Sequence, residues 1–213
     1  MKISSSDLGK QAYHKVKQMI VSKKLLPGQK IVQEQLAEQL GISRTPLRDA
    51  LQRLEAELLV ESIPRRGVVV RQFNDREIVE IYECRIALEV TAVRLFAEKA
   101  QQSEIDGLRK LLEPFEHTNE IDEKAYQKAD SNFHDTIIKR SGNQFLYQLF
   151  QKGNLLVCID AIGLVRPPKE TLQEHLDIVT AIHNRDGAKA ASLLKEHLEK
   201  SKRLIVENPG YEN

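Results

Sequence analysis

The segment IVQEQLAEQLGISRTPLRDALQRLE, residues 31–55, predicts two short helices joined by a tight turn. Gly41 permits the left-handed backbone conformation that ends the first helix, and Ser43 is a suitable N-cap for the second. Each helix has an apolar packing face, formed by Leu36, Ala37 and Leu40 in the first and by Leu47, Ala50, Leu51 and Leu54 in the second. This pattern is typical of a helix-turn-helix.

The start of the second helix concentrates positive charge. Its first turns carry Ser43, Arg44, Thr45 and Arg48, and no acidic residue precedes Asp49. A helix N-terminus already carries partial positive charge, so arginines there indicate that an anion is expected. A helix-turn-helix that inserts the start of its second helix into a DNA major groove needs this arrangement. The simpler alternative is a surface helix with a solvated basic end.

Two β-rich segments follow directly. LLVESI (58–63) and GVVVRQF (67–73) predict a β-hairpin, whose basic tip is Pro64, Arg65, Arg66 and Gly67. A helix-turn-helix followed by such a hairpin is a winged helix, and Gly67 lets the tip backbone approach phosphates or a minor groove closely. Basic tips also serve solubility alone, but the position after the helix-turn-helix favours DNA contact.

Charge is distributed unevenly along the 213 residues. The chain through Gln72 has 13 lysines and arginines against 7 acidic residues, and the remainder has 19 against 24. This predicts a DNA-binding domain at 1–73 and a second domain with another task at 74–213. The sequence shows no signal peptide and no apolar run long enough to span a membrane, and its two cysteines resemble reduced packing residues, so we expect a cytoplasmic protein.

The second domain is predicted to be helical almost throughout, which makes the chain mainly α. We expect helices near 75–100, 103–118, 122–141, 144–162, 168–185 and 187–206. Six helices in about 135 residues predict an antiparallel bundle with its own core.

Several polar residues fall on the apolar faces of these helices when each residue advances by about 100°. Arg85 lies within such a face, so it should have a carboxylate partner or a bound anion. Asp130 and His134 are four residues apart and point the same way, and His175 and His197 lie on the inward faces of two further helices. One such histidine is more often a core residue than a ligand. Three imidazoles and a carboxylate, however, suit Zn²⁺, Ni²⁺ or another transition metal.

The segment LAEQLGISRTPLRDALQRLEAELLVESIPRRGVVV (36–70) resembles the winged-helix domain of GntR-family bacterial transcription regulators. The matching residues are Leu36, Ala37, Leu40, Gly41, Ser43, Arg44, Pro46, Arg48, Ala50, Leu51, Leu54 and the wing residues Arg66, Gly67 and Val68. The resemblance implies that Arg44, Thr45, Arg48 and Gly67 contact operator DNA. Some members carry a basic contact residue where this chain has Glu34, so that contact is not implied here.

Three later segments, 82–100, 130–146 and 174–198, resemble the all-helical effector-binding (FCD) domain of the FadR-like branch of that family. In many such members, residues that match Asp130, His134, His175 and His197 bind a divalent metal. The arginine that matches Arg85 often faces the effector in the same cavity. The resemblance therefore implies a metal site and an effector site in one place.

Together these features predict a ligand-responsive transcription regulator that is not an enzyme. Repression relieved by an effector is the commoner pattern in the family that the chain resembles, so we expect a repressor. We expect a homodimer, because two-fold symmetry places two recognition helices on a palindromic operator. The expected effector is a small carboxylate held by the metal and Arg85. Two alternatives stay open: a metalloenzyme whose metal activates water, and a regulator whose metal is purely structural.

Overall fold

The structure is a computed structural model that describes residues 5–118 and 120–207. The chain divides into two compact units, with the division between Phe73 and Asn74. The elements of the first unit are α1 (Ser5–Val21), α2 (Gln33–Leu40), α3 (Arg44–Ala56), β1 (Val60–Ile63) and β2 (Gly67–Val70). Helix α1 packs on α3, and α3 also contacts α2 and β1, so α3 is central to this unit.

Helices α2 and α3 are separated by the expected tight turn. Gly41 has a φ of 66°, and its backbone N–H reaches the carbonyls of Ala37 and Glu38. Ser43 occupies the N-cap position of α3, but its side chain makes no capping hydrogen bond among the described residues. The apolar face of α3 turns inward and buries Leu47, Ala50, Leu51 and Leu54. The opposite face is therefore available to solvent.

Strands β1 and β2 form an antiparallel hairpin. Val60 pairs with Val70 at the base and Ile63 pairs with Gly67 at the tip. The tip turn requires left-handed backbone angles, with φ values of 65° at Arg65 and 88° at Gly67. A glycine meets this requirement without the steric penalty that a side chain would bring.

The second unit is helical, and its core is shared among all of its longer helices. Its helices are α4 (Asp75–Lys99), α5 (Gln102–Lys110), α6 (Glu113–Glu116), α7 (Glu123–Arg140), α8 (Gln144–Lys152), α9 (Leu155–Ile162), α10 (Pro168–His183) and α11 (Gly187–Val206). Helix α4 starts with a capping box formed by Asn74 and Glu77. It packs along α11 and also contacts α7 and α10, so it lies beside every helix that carries a predicted metal ligand.

Two of the six helices predicted for this unit are each broken into two. The segment 103–118 is interrupted at Leu111 and Leu112, because Pro114 lacks the backbone N–H of a continuous helix and is tolerated only in the first turn of α6. The segment 144–162 is interrupted at Gly153 and Asn154, and Asn154 takes a left-handed φ of 51°. The bundle therefore has eight helical segments within the described residues rather than six.

The predicted fold class is confirmed: a winged helix-turn-helix is followed by a helical bundle. Among the described helices, none has both the length and the apolar character needed to cross a membrane.

Candidate nucleic-acid interface and metal centre

The outward face of α3 carries the side chains predicted to contact DNA. Ser43, Arg44, Thr45 and Arg48 are all exposed, whereas the intervening Pro46 and Leu47 are buried. Arg44 Nη1 donates a hydrogen bond to Glu34 Oε1 at 3.0 Å, and both side chains remain largely exposed. The structure thus gathers these four residues at the first two turns of one helix.

The hairpin tip presents the second predicted group. Arg65, Arg66 and Gly67 are exposed, and Arg66 Nη2 donates to the Gly28 carbonyl oxygen at 3.2 Å. Gly28 itself lies in the turn after α1 and donates its N–H to the Val70 carbonyl at 2.9 Å. These contacts hold the wing against the rest of the unit, and the two exposed guanidinium groups carry positive charge of the kind that phosphate binding requires.

The four predicted metal ligands come together inside the second unit. Asp130 and His134 lie on α7, His175 on α10 and His197 on α11, and one ligand atom from each lies within 4.8 Å of the others. The three histidines are buried, and Asp130 is half-buried. Three nitrogen donors and one carboxylate oxygen at such separations form a group that could hold a metal ion.

The hydrogen-bond partners of His175 indicate whether these residues fit a metal. Its Nδ1 lies 3.2 Å from the Tyr126 hydroxyl. Its Nε2 lies 3.5 Å from Asp130 Oδ1, but that atom is buried without a hydrogen-bond partner in the described part of the chain. An unsatisfied buried nitrogen is costly. A cation between His175 and Asp130 would give it a partner, so the residues fit a bound metal.

The other two histidines are each oriented by a glutamate. His134 Nδ1 donates to Glu89 Oε2 at 2.5 Å, and His197 Nδ1 donates to Glu174 Oε2 at 2.7 Å. Each ring can therefore offer only Nε2 to a ligand. Metal-binding histidines usually donate their second nitrogen to a carboxylate in this way, because it fixes the tautomer and the ring orientation.

Burial favours the neutral form of two of the rings, which is the form that binds a metal. Burial lowers the pKa of His175 well below its ordinary value, and the neighbouring His197 and His134 lower it further. Burial also lowers the pKa of His197, although its hydrogen bond to Glu174 acts in the opposite direction. Neutral imidazoles bind a metal without first losing a proton.

Arg85 lies in the core of the bundle and is only 2% exposed. Its Nε donates to Glu89 Oε1 at 2.5 Å, which is the carboxylate partner that its position on an apolar face requires. Burial alone would raise the pKa of Glu89, but the charge of Arg85 and the hydrogen bonds from Arg85 and His134 lower it to about 2. Within the described residues, Arg85 Nη2 has no hydrogen-bond partner.

A small cavity of about 30 Å³ joins these groups. Arg85, Asp130, His134 and His197 line it together with Arg166, which lies between α9 and α10. The structure therefore places the predicted effector arginine and three of the four predicted metal ligands around one space.

Glu89, Glu174 and Arg166 were missed by the sequence analysis. Glu89 follows Arg85 by four residues, a spacing that places both on one side of a helix and could have revealed it. Glu174 directly precedes His175, and the spacing rule places it on another side of α10. No sequence signal indicates that it reaches His197 on α11.

Comparison with known proteins identifies the chain. Residues 8–70 match the family model described as bacterial regulatory proteins of the gntR family, and residues 80–200 match the FCD domain. The chain belongs to the GntR family. It is a transcription regulator with an FCD domain, and the relatives below carry regulator names rather than enzyme names.

Two relatives and one solved structure illustrate the match. The Nta operon transcriptional regulator of Aminobacter aminovorans is 30% identical, over 89% of this chain and 90% of that protein. The transcriptional repressor RspR of Escherichia coli K12 is 25% identical, over 90% and 86%. A GntR regulator from Rhodococcus sp. RHA1 superposes with a TM-score of 0.80 at 21% identity, covering 96% of this chain and 99% of that one. The last likeness shows the shared fold.

Proposed function

We propose that this GntR regulator is a ligand-responsive repressor whose helical unit binds a divalent metal and a small carboxylate effector. The observation that carries the proposal is the convergence of Asp130, His134, His175 and His197 within 4.8 Å. Buried ionisable groups are costly. A ligand explains three buried histidines beside a half-buried aspartate, three of these four residues lining one cavity, better than packing does. The repressor role is supported by the name of the relative RspR.

Zn²⁺ or Ni²⁺ suits this set of donors best. Three imidazole nitrogens and one carboxylate oxygen match the ligand preferences of both metals. A divalent cation held by these four residues would supply positive charge that attracts an anion. Glu89 and Glu174 would hold the rings of His134 and His197 in the orientation that metal binding needs.

Arg85 is the residue we assign to the effector. Its side chain lines the cavity, and its Nη2 has no hydrogen-bond partner among the described residues. A guanidinium recognises a carboxylate through paired hydrogen bonds. A cavity of about 30 Å³ holds little more than a water molecule. A carboxylate effector would therefore widen it, so the effector-bound and effector-free forms differ in packing. A ligand that binds two forms unequally shifts the balance between them.

The winged-helix unit would read a palindromic operator as a homodimer in the cytoplasm. We assign base and phosphate contacts to Arg44, Thr45 and Arg48, with Ser43 near the backbone. The wing residues Arg65, Arg66 and Gly67 would approach the phosphates or the minor groove. One recognition helix reads few base pairs, so a two-fold dimer is the arrangement that yields a specific site.

The test begins with duplexes selected from a random double-stranded DNA pool by the full-length, metal-loaded protein. Fluorescence anisotropy then measures affinity for the selected duplex with and without a panel of small carboxylates. We expect at least one acid to weaken binding by about tenfold or more, which corresponds to roughly 1.4 kcal/mol. A matched panel of the neutral amides should have no effect.

The rival interpretation is a purely structural metal. It predicts that the metal-loaded protein binds the selected duplex with the same affinity whether or not any acid is present. That result would remove the effector from the proposal. Tighter binding in the presence of an acid would retain the sensor but reverse its sign, and would contradict relief of repression.

A further inference from the structure

Glu89 connects two residues with different proposed tasks. One carboxylate oxygen, Oε1, accepts from Arg85 Nε, and the other, Oε2, accepts from His134 Nδ1, both at 2.5 Å. The side chain of Glu89 is 1% exposed, so both hydrogen bonds are shielded from bulk water. The proposed effector arginine and a proposed metal ligand are therefore held by one buried carboxylate.

Glu174 has a similar set of partners. Arg166 donates two hydrogen bonds to it, from Nη1 to Oε2 at 2.7 Å and from Nη2 to Oε1 at 2.8 Å. His197 Nδ1 donates to the same Oε2 at 2.7 Å. Lys200 Nζ also donates to Oε1 at 2.8 Å. Arg166 is 7% exposed, so a second buried arginine shares a carboxylate with a second proposed metal ligand.

We propose that Glu89 and Glu174 are positioning residues that couple the metal to the anion, so that each binds more tightly when the other is present. The arginine and the histidine that each glutamate contacts line the same cavity: Arg85 and His134 for Glu89, and Arg166 and His197 for Glu174. Both partners of each glutamate therefore border the proposed binding site. This inference rests on the proposed function, because it requires that metal and carboxylate both bind there.

The physical basis of the coupling is the shared ordering of three side chains. A metal on His134 fixes the imidazole ring, the ring fixes the Glu89 carboxylate, and the carboxylate fixes the guanidinium of Arg85. An anion that then binds Arg85 loses less conformational entropy, because its partner is already ordered. Thermodynamic linkage requires that the anion strengthen metal binding by the same factor.

The two connections should differ in strength. Glu89 is enclosed and serves only Arg85 and His134 among the hydrogen bonds of the described residues. The side chain of Glu174 is 18% exposed and also binds Lys200. Partial exposure to water weakens an electrostatic connection, and the additional partner can hold Glu174 in place when the cavity is empty. We therefore assign the larger share of the coupling to Glu89.

The experiment measures both affinities in one thermodynamic cycle. Isothermal titration calorimetry on the full-length protein gives the Zn²⁺ affinity in acetate and in chloride of equal ionic strength, and the acetate affinity with and without Zn²⁺. Acetamide replaces acetate as the neutral control. We expect acetate to strengthen Zn²⁺ binding of the wild type by about tenfold, within the usual range for coupled sites. Zn²⁺ should strengthen acetate binding by the same factor.

The deciding variant is Glu89→Gln. Arg85 and His134 donate to different oxygens of Glu89, and a glutamine places an NH₂ group, which only donates, at one of these two positions. We expect Zn²⁺ affinity to fall by roughly 10- to 100-fold and the coupling factor to fall to near one. A merely structural role would lower affinity while leaving the coupling factor unchanged.

The matched control is Glu98→Gln. It removes an Arg–Glu pair with the same four-residue spacing on the same helix, formed by Arg94 Nη1 and Glu98 Oε1 at 2.8 Å, but that pair is exposed. This variant should keep both the affinities and the coupling. If Glu89→Gln fails to fold, Glu174→Gln, in which a partly exposed carboxylate is replaced, should reduce the coupling factor at least twofold.

The outcomes separate this inference from the proposed function. Wild-type protein that binds Zn²⁺ and acetate independently would overturn the inference while leaving metal and effector sites in place. Coupling that survives in Glu89→Gln and in Glu174→Gln would overturn it as well. Wild-type protein that does not bind Zn²⁺ would overturn the metal site itself, and the inference with it.

Discussion

Two Arg–Glu pairs in this molecule show how differently the same chemistry behaves at the surface and in the core. On the winged helix, Arg44 and Glu34 are 3.0 Å apart, and their side chains are 65% and 73% exposed. In the bundle, Arg85 and Glu89 are 2.5 Å apart, and their side chains are 3% and 1% exposed. The residue types are identical, and only the surroundings differ.

Because of this difference in exposure, the two arginines are suited to different roles. An exposed ion pair contributes little to stability, so Arg44 can exchange Glu34 for a DNA phosphate or base at small cost. A buried arginine that loses its carboxylate is left as an uncompensated charge. Arg85 is therefore confined to the core beside Glu89 and is suited to recognise a ligand that enters the cavity.

Removal of one charge from each pair tests whether burial makes the two pairs differ in their contribution to stability. Glu89→Gln should lower the free energy of unfolding of the metal-free protein by about 3–5 kcal/mol, because Arg85 stays buried without its counter-charge. Glu34→Gln, the exposed counterpart, should change it by at most about 1 kcal/mol. Urea unfolding monitored by circular dichroism measures both. Equal effects of the two substitutions would show that burial does not distinguish the pairs.

A second substitution tests the surface side of the comparison through DNA. Arg48→Ala should abolish the preference for the selected duplex over random DNA, because each base contact is worth about 1–3 kcal/mol and a dimer loses two. The fold and the metal content should not change. Arg76→Ala, which removes an exposed arginine outside the winged helix, is the control. Unchanged discrimination in Arg48→Ala would remove this residue from the recognition set.

The wing should show the smallest effect of the three. Arg65→Ala together with Arg66→Ala should weaken binding to all sequences alike. The slope of log affinity against log salt should fall by up to about 3.6, because a dimer loses up to four phosphate contacts worth about 0.9 each. Anisotropy titrations at several salt concentrations report that slope. A loss confined to the selected sequence would instead indicate that the wing reads bases, and an unchanged slope would show that it makes no phosphate contact.

The parts of the fold that follow from local rules could be predicted from the sequence. Gly41 and the apolar faces on either side of it specify the helix-turn-helix, and the β-branched residues on both sides of the basic tip at Pro64 indicate the wing. The four residues of the metal group were also accessible, because a fixed rotation per residue places Asp130 and His134 on one inward face.

The remainder depends on which helices meet, and spacing along the chain does not contain that information. The helices predicted at 103–118 and 144–162 are exceptions, because local features break them. Pro114 lacks a backbone N–H, and Asn154 takes a left-handed φ. Glu89 was within reach of the four-residue rule, but its second partner, His134, lies on another helix. Arg166 lies outside any helix, so no periodicity indicates that it faces the cavity.

The most direct test of the account is the metal content of the full-length protein. Elemental analysis with native mass spectrometry should find about one divalent transition metal per chain in freshly purified wild type supplied with Zn²⁺ or Ni²⁺. The double variant His134→Ala and His175→Ala should contain none. A control that replaces two exposed histidines, His14→Ala and His183→Ala, should retain full occupancy. Wild type without metal, or full occupancy in the first double variant, would contradict the assignment of the buried Asp–His group as the metal site.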